Sequence, residues 1–175
     1  RSWSQKPQQV HIHDFAQDAL GRAVPYGIYD LTHNQGYVYV GTSYDTPEFA
    51  AYAIAQWWTD PNRPRFGRED KLLIPADAGG SNNCRYWLWK QQVQAQLDDQ
   101  FGLEVMICHY PTGTSMWNPI EYCLFSQISR NWAGKPLRSW AVMLNYIRGT
   151  VTETGLQVKA FLVDRVFEKR KKVTA

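Results

Sequence analysis

The chain has 175 residues, a net charge of +3, 44% hydrophobic residues and 14% aromatic residues. This composition excludes a disordered polypeptide, and the length fits one domain with a substantial core. The three cysteines, Cys84, Cys108 and Cys123, are odd in number and lack C-x-x-C spacing, so they argue against a disulfide framework or zinc site and favour a reducing cytosol. No apolar run approaches the 18 residues of a membrane span, so no membrane association is predicted.

The first half of the chain predicts a β-hairpin and then a helix. Residues 10–13 alternate weakly and could form a short strand. Residues 25–32 and 37–42 are rich in β-branched and aromatic residues and flank an Asn/Gly turn, which favours a hairpin. A helix should begin around Pro47, because a capping residue, a proline and an acid follow one another there.

The second half predicts alternating strands and helices. Residues 71–76 form a short apolar run, as expected for a buried parallel strand. A helix is predicted over 85–101, with Tyr86, Trp89, Val93 and Leu97 on its core face, and a strand over 103–107. A further helix follows Asn118, another contains residues 137–147, and residues 158–163 could form a short strand. The pattern indicates an α/β fold, a mixed sheet with helices on both faces.

Two acids follow neighbouring predicted strands. Asp77 ends the strand at 71–76 and precedes a glycine-rich loop, while Glu121 is the third residue of the helix capped by Asn118. Ligands in open α/β sheets gather at the carboxyl ends of strands, so the two acids could share one crevice and bind a hard cation such as Mg²⁺. The alternatives stay open: Asp77 could cap its own loop, and Glu121 could bond back to the cap amide in a capping box.

Basic residues are clustered in two places. Arg63, Arg65 and Arg68 share a polar loop, and Lys169, Arg170, Lys171 and Lys172 form a run near the C-terminus. Such clusters are either solvated surface or phosphate contacts with DNA.

The acids lie within motifs that carry a family resemblance. Asp77 stands in P-A-D-A-G-G-S-N, and Glu121 in C-H-Y-P-T-G-T-S-M-W-N-P-I-E-Y-C-L-F. Together with H-D-F at 13–15, P-Y-G-I-Y-D-L at 25–31, G-T-S-Y-D-T at 41–46 and N-W-A-G-K-P-L at 131–137, they cover nearly the whole chain. The chain thus resembles the DDE transposases of bacterial insertion sequences, and within that mariner-like, RNase H-fold superfamily it is most similar to the Rhodopirellula-type group.

This resemblance implies an RNase H-like catalytic core over residues 1–150 and a C-terminal extension with a basic tail over 151–175. Asp77 would be the second catalytic acid and Glu121 the third, and both would be ligands of two Mg²⁺ or Mn²⁺ ions. The expected reaction is phosphodiester cleavage at transposon ends followed by strand transfer into target DNA. The expected partners are these duplexes and a second copy of the chain assembled on them, in the bacterial cytoplasm at the nucleoid.

The first acid of the family is expected on a strand upstream of Arg1, because residues 25–32 and 37–42 match the second and third strands of the fold. The fold is then predicted to lack its first strand here, with the edges at 25–32 and 71–76 unpaired or wrongly paired and the chain inactive alone. Asp30 and Asp14 are the alternatives for this acid. Two other functions remain open, namely an RNase H-like nuclease without strand transfer and an inactive DNA-binding remnant. In the family, glycine usually stands at Ala78, and basic residues are common after the glutamate, where this chain has Tyr122 and Cys123.

Overall fold

The computed structural model of the chain describes residues 21–65, 70–111 and 113–169. Within them lie five strands, namely β1 (Val24–Asp30), β2 (Gln35–Gly41), β3 (Lys71–Asp77), β4 (Glu104–Tyr110) and β5 (Gln157–Val163). The α-helices are α1 (Pro47–Thr59), α2 (Trp87–Val93), α3 (Asp99–Phe101), α4 (Ser126–Trp132) and α5 (Trp140–Arg148). The possible strand at 10–13 and the predicted site residues Asp14, Arg68, Arg170, Lys171 and Lys172 lie outside the described residues.

The predicted β-hairpin is confirmed and forms two of the three strands of a mixed sheet. β1 and β2 pair antiparallel from Val24 opposite Gly41 to Asp30 opposite Gln35. Asn34 takes a positive φ of 51° in the turn, a conformation that asparagine tolerates better than most residues. β5 confirms the short strand predicted near the C-terminus and pairs parallel to β2, which gives the order β1-β2-β5.

β3 and β4 form a separate, parallel two-stranded sheet that ends with Asp77 opposite Tyr110. Among the described strands, β1 pairs only with β2 and β3 pairs only with β4. The Tyr26 hydroxyl near the start of β1 donates a 3.0 Å hydrogen bond to the Asn82 side chain, which lies just beyond the end of β3. The amino end of β1 therefore lies beside the carboxyl end of β3.

Helices pack against both faces of the sheets, as predicted. α1 begins where Thr46 accepts a 3.2 Å hydrogen bond from the Phe49 amide and Pro47 occupies the first turn. The core on this side joins α1, α2 and the inward face of β3 and β4, with Phe49, Trp89 and Leu97 fully buried. The other side is covered by the segment containing Glu121, α4 and α5, which pack on β2 and β5.

The helix predicted over 85–101 is shorter and interrupted. α2 begins at Trp87, and a π-helical turn over Gln94–Asp98 separates it from α3. The prediction that Tyr86 faces the core was wrong, because Tyr86 has an extended backbone before the helix and its side chain is exposed. Trp89, Val93 and Leu97 are buried as predicted.

The segment after residue 150 packs with the rest of the chain. β5 contributes Val158 and Ala160 to the core beneath α5, and Phe167 is buried against Phe49 with ring centroids 5.2 Å apart.

Candidate active site

Asp77 stands at the carboxyl end of β3, where the chain leaves the sheet. Its side chain is exposed, and a short 3₁₀ turn over Gly80–Asn82 follows it. Gly80 has a φ of +57°, which favours glycine, and so the chain reverses close to the sheet. His109 Nε2 lies 2.8 Å from the Asn82 carbonyl oxygen, and this hydrogen bond ties the turn to the end of β4.

Glu121 is held at the start of a helix by a cap that does not use its carboxylate. The Asn118 side chain accepts a hydrogen bond from the Ile120 amide at 3.3 Å, and the Glu121 amide donates to the Asn118 carbonyl at 3.1 Å. The Glu121 side chain is exposed, and among the described residues it has no hydrogen-bond or ion-pair partner. The capping box considered from the sequence is therefore not formed.

The backbone at Glu121 is a π-helical turn, Glu121–Phe125, that continues into α4. Such turns are uncommon and are frequent at functional sites, because the extra residue changes the direction of neighbouring side chains. Leu124 is fully buried here and lies directly over Gly36, where any side chain would collide with it. This close packing on β1 and β2 fixes the position of the turn that carries Glu121.

Asp77 and Glu121 line the same cavity, which has a volume of about 610 Å³. The cavity runs between β1 and β3, and residues of both strands form its walls. Like the Glu121 side chain, the Asp77 side chain has no hydrogen-bond or ion-pair partner within the described residues. Two exposed carboxylates, one at the end of β3 and one at a helix start 44 positions later, thus line one cavity, and neither has a partner within the described residues.

The polar wall of this cavity is held by Tyr26 and Asn82. Burial raises the pKa of the Tyr26 hydroxyl well above its ordinary value, although the hydrogen bond to Asn82 opposes part of the rise. The hydroxyl therefore stays protonated at neutral pH and continues to donate to Asn82. Asp45 also lines the cavity, on the loop after β2.

The chemistry of this donor set fits a hard divalent cation. Carboxylate oxygens are the ligands that Mg²⁺ and Mn²⁺ prefer, and Mg²⁺ usually takes one or two carboxylates together with water and substrate phosphates. Within residues 21–65, 70–111 and 113–169, no three His, Cys, Asp or Glu side chains form a group that could hold a metal.

Asp30, the alternative first acid, lies at the opposite end of β1. It is four residues beyond Tyr26, which is about 13 Å along a strand. Its carboxylate accepts hydrogen bonds from the amides of Thr32 and His33 at 3.0 and 3.1 Å, and its other oxygen lies 2.8 Å from His33 Nδ1. This buried side chain stabilises the hairpin turn. Asp30 also lines the cavity of Asp77 and Glu121, but within the described residues the three carboxylates do not form a group that could hold a metal ion.

Arg63 requires a correction, because it is not on the surface. The sequence suggested a phosphate contact, but only 2% of Arg63 is exposed. Its guanidinium donates to the carbonyl oxygens of Trp58 and Pro64 at 3.3 and 3.1 Å and lies 4.2 Å from the Trp58 ring centroid. The sequence predicted a surface cation because it does not show that the Trp58 ring covers this arginine.

Within the described residues, each basic cluster has one exposed member. Arg65 is exposed beyond the carboxyl end of α1, the end of the helix that contributes Trp57 to the cavity wall. Lys169 is exposed, and its ammonium lies 4.5 Å from the centroid of the Tyr44 ring, next in sequence to Asp45 of the cavity wall.

Sequence reasoning missed the residues that tie the loop after Asp77 to the neighbouring strands. The contacts of Asn82 with Tyr26 and His109 connect β1, β3 and β4, which are far apart along the chain. Their only signal was the run of glycine, serine and asparagine after Asp77.

The described residues contain no helix of the length and apolar character that crossing a membrane requires. No curated protein and no solved structure matches the chain. The model of the family described as "Rhodopirellula transposase DDE domain" matches residues 1–175. This match covers the full sequence, including both acids and the loops that present them, and a DDE domain has an RNase H-like fold. The chain belongs to the Rhodopirellula transposase DDE domain family.

Proposed function

We propose that this chain is the catalytic core of a DNA transposase that cleaves phosphodiesters at transposon ends and joins the freed strand to target DNA. The observation that carries the proposal is the pair of carboxylates on the wall of one cavity, Asp77 and Glu121, which have no partner in the part of the chain that the structure describes. Family membership supports the transposase class. Divalent ions held by the two carboxylates would activate the attacking oxygen and stabilise the leaving oxygen.

The residues of the chain have separate parts in this proposal. Asp77 and Glu121 bind the cations and so fix where the scissile phosphate lies. Asn118 orients Glu121 by capping its helix, and Asn82 holds the loop after Asp77 against β1 and β4. The basic run from Lys169 would contact DNA phosphates, which position a duplex without reading its sequence.

We further propose that the first acid comes from a strand that inserts between β1 and β3. The cavity extends along both strands, and each presents the edge that faces it without a partner among the described strands. Unpaired strand edges are ready to accept another strand. The upstream segment that precedes Arg1 is the proposed source, and the 175-residue chain alone is then expected to be inactive.

The test is an assay of the full-length protein on a duplex carrying the transposon end, with Mg²⁺ or Mn²⁺. Joined products support the transposase, cut strands alone indicate an RNase H-like nuclease, and binding without either product indicates a DNA-binding remnant. Asp77→Asn and Glu121→Gln should each abolish cleavage while duplex binding persists. Glu104→Gln is the matched control, because this exposed glutamate pairs with Lys71 at the other end of the same two strands.

Under this proposal the protein acts in the bacterial cytoplasm on nucleoid DNA and assembles as a homodimer on the transposon ends.

A further inference from the structure

Two of the tryptophans in the described residues are mostly exposed, and one of them adjoins the candidate active site. Trp117 is 65% exposed and precedes Asn118, which lines the cavity, whereas Trp87 is 73% exposed at the start of α2. Exposing a large apolar ring to water is unfavourable, and an apolar patch beside a site commonly marks a binding surface.

Other exposed apolar side chains stand near Trp117 and Glu121 along the chain. Met116 is 75% exposed, and Tyr122, the residue after Glu121, is also exposed. Within the described part of the chain, the Trp117 indole has no ring contact, cation contact or hydrogen bond. By contrast, the exposed Trp87 ring already makes a cation–π contact with the Lys90 ammonium, which lies 4.8 Å from the ring centroid.

The backbone presents Trp117 in a defined position. Its amide donates to the Thr114 carbonyl at 2.8 Å, and the Thr114 amide donates to the Pro111 carbonyl at 3.1 Å. The next residue, Asn118, is buried and caps the helix of Glu121. The backbone at Trp117, four positions before Glu121, is therefore held by hydrogen bonds, and less ordering of this backbone is needed when a ligand binds the indole.

We propose that Trp117 is a stacking site for an unpaired nucleobase of the DNA strand whose phosphate is cleaved. Bases that leave a duplex stack on aromatic side chains, and every base offers a π-face for this contact. Terminal and mismatched base pairs open most easily, so the base next to a cleaved end is the natural occupant. This inference rests on the proposed function and adds a binding site to it.

The test uses the full-length protein and binding alone, with a chelator present so that no cleavage occurs. Affinity is measured by fluorescence anisotropy for three end duplexes, namely fully paired, mismatched at the terminal base pair, and lacking that base on the cleaved strand. Wild-type protein should bind the mismatched end most tightly. Trp117→Ala should weaken that binding by about tenfold, since stacking on an aromatic side chain contributes on the order of 1.4 kcal/mol.

Two variants and the abasic duplex separate stacking from other effects. Trp117→Phe keeps a ring and should retain most of the affinity, and Trp87→Ala, which removes another exposed tryptophan, should change nothing. Trp117→Ala and wild-type protein should bind the abasic end equally. If Trp117→Ala equals wild-type protein on all three duplexes, the stacking site is refuted while the transposase proposal stands. If wild-type protein binds no end duplex, both proposals fail.

Discussion

Arg63 is predicted by the sequence to be a surface cation and is found buried in the structure, so its substitution distinguishes the two directly. Its guanidinium makes two hydrogen bonds to backbone carbonyls and packs on Trp58. Hydrogen bonds to charged groups contribute about 1.5–3 kcal/mol each, and a cation–π contact about 0.5–2 kcal/mol. We take values near the lower end of these ranges, because both hydrogen bonds are long and burial of the charge is itself unfavourable. We therefore expect Arg63→Ala to lower the free energy of unfolding by about 3 kcal/mol.

The assay is urea denaturation followed by far-UV circular dichroism, with DNA binding measured at a temperature where all variants are folded. Arg65→Ala is the control, because it removes an exposed arginine of the same loop and should change stability by less than about 0.5 kcal/mol. DNA affinity of folded Arg63→Ala should match wild-type protein. A variant that keeps its stability but binds DNA more weakly, with a shallower salt dependence, would refute the buried position of Arg63.

Three further predictions concern the frame of the site. Asp30→Ala should lower the free energy of unfolding by about 1–2 kcal/mol in urea denaturation, since the turn amides of Thr32 and His33 lose their acceptor. Asp30→Asn should retain DNA cleavage, and loss of cleavage in this variant would restore Asp30 as a catalytic acid. Gly36→Ala should destabilise the fold by about 1–3 kcal/mol, because the new methyl group meets the buried Leu124 side chain. Gly79→Ala should be nearly neutral, because the nearest atom to its new methyl group lies 3.5 Å away. Equal midpoints of the two variants in a thermal melt would contradict this prediction. Burial raises the pKa values of Tyr29 and Tyr37 to about 12, above their ordinary value of about 10, so the stabilisation that these two hydroxyls contribute should be constant below pH 10 and be lost as the pH rises towards 12. Stability that stays level from pH 10 to 11.5 in urea denaturation would disprove this.

The sequence predicted features that depend on neighbouring residues. The hairpin followed from β-branched and aromatic residues around an Asn/Gly turn, and the cap at Asn118 followed from the Asn-Pro pair at a helix start. Asp77 at a strand end followed from one short apolar run. Each of these is a local preference of the backbone that tertiary packing reinforces.

Other features depend on contacts between distant residues, and the sequence did not reveal them. The pattern of β5 indicated a strand but not its parallel pairing with β2. Arg63 looked like a surface cation because the tryptophan that covers it belongs to a helix whose rotation the sequence does not specify. Glu121 stood at the capping-box position, and only the structure showed that its carboxylate is left free by Asn118.

The central claim is that Asp77 and Glu121 bind the same divalent cations. Its most direct test is a Mn²⁺ titration of the full-length protein, in which electron paramagnetic resonance records the free ion. Wild-type protein and Glu104→Gln should bind Mn²⁺ alike, and Asp77→Asn and Glu121→Gln should each weaken binding at the same site by tenfold or more. Mn²⁺ binding by Glu121→Gln that equals that of wild-type protein would contradict the account.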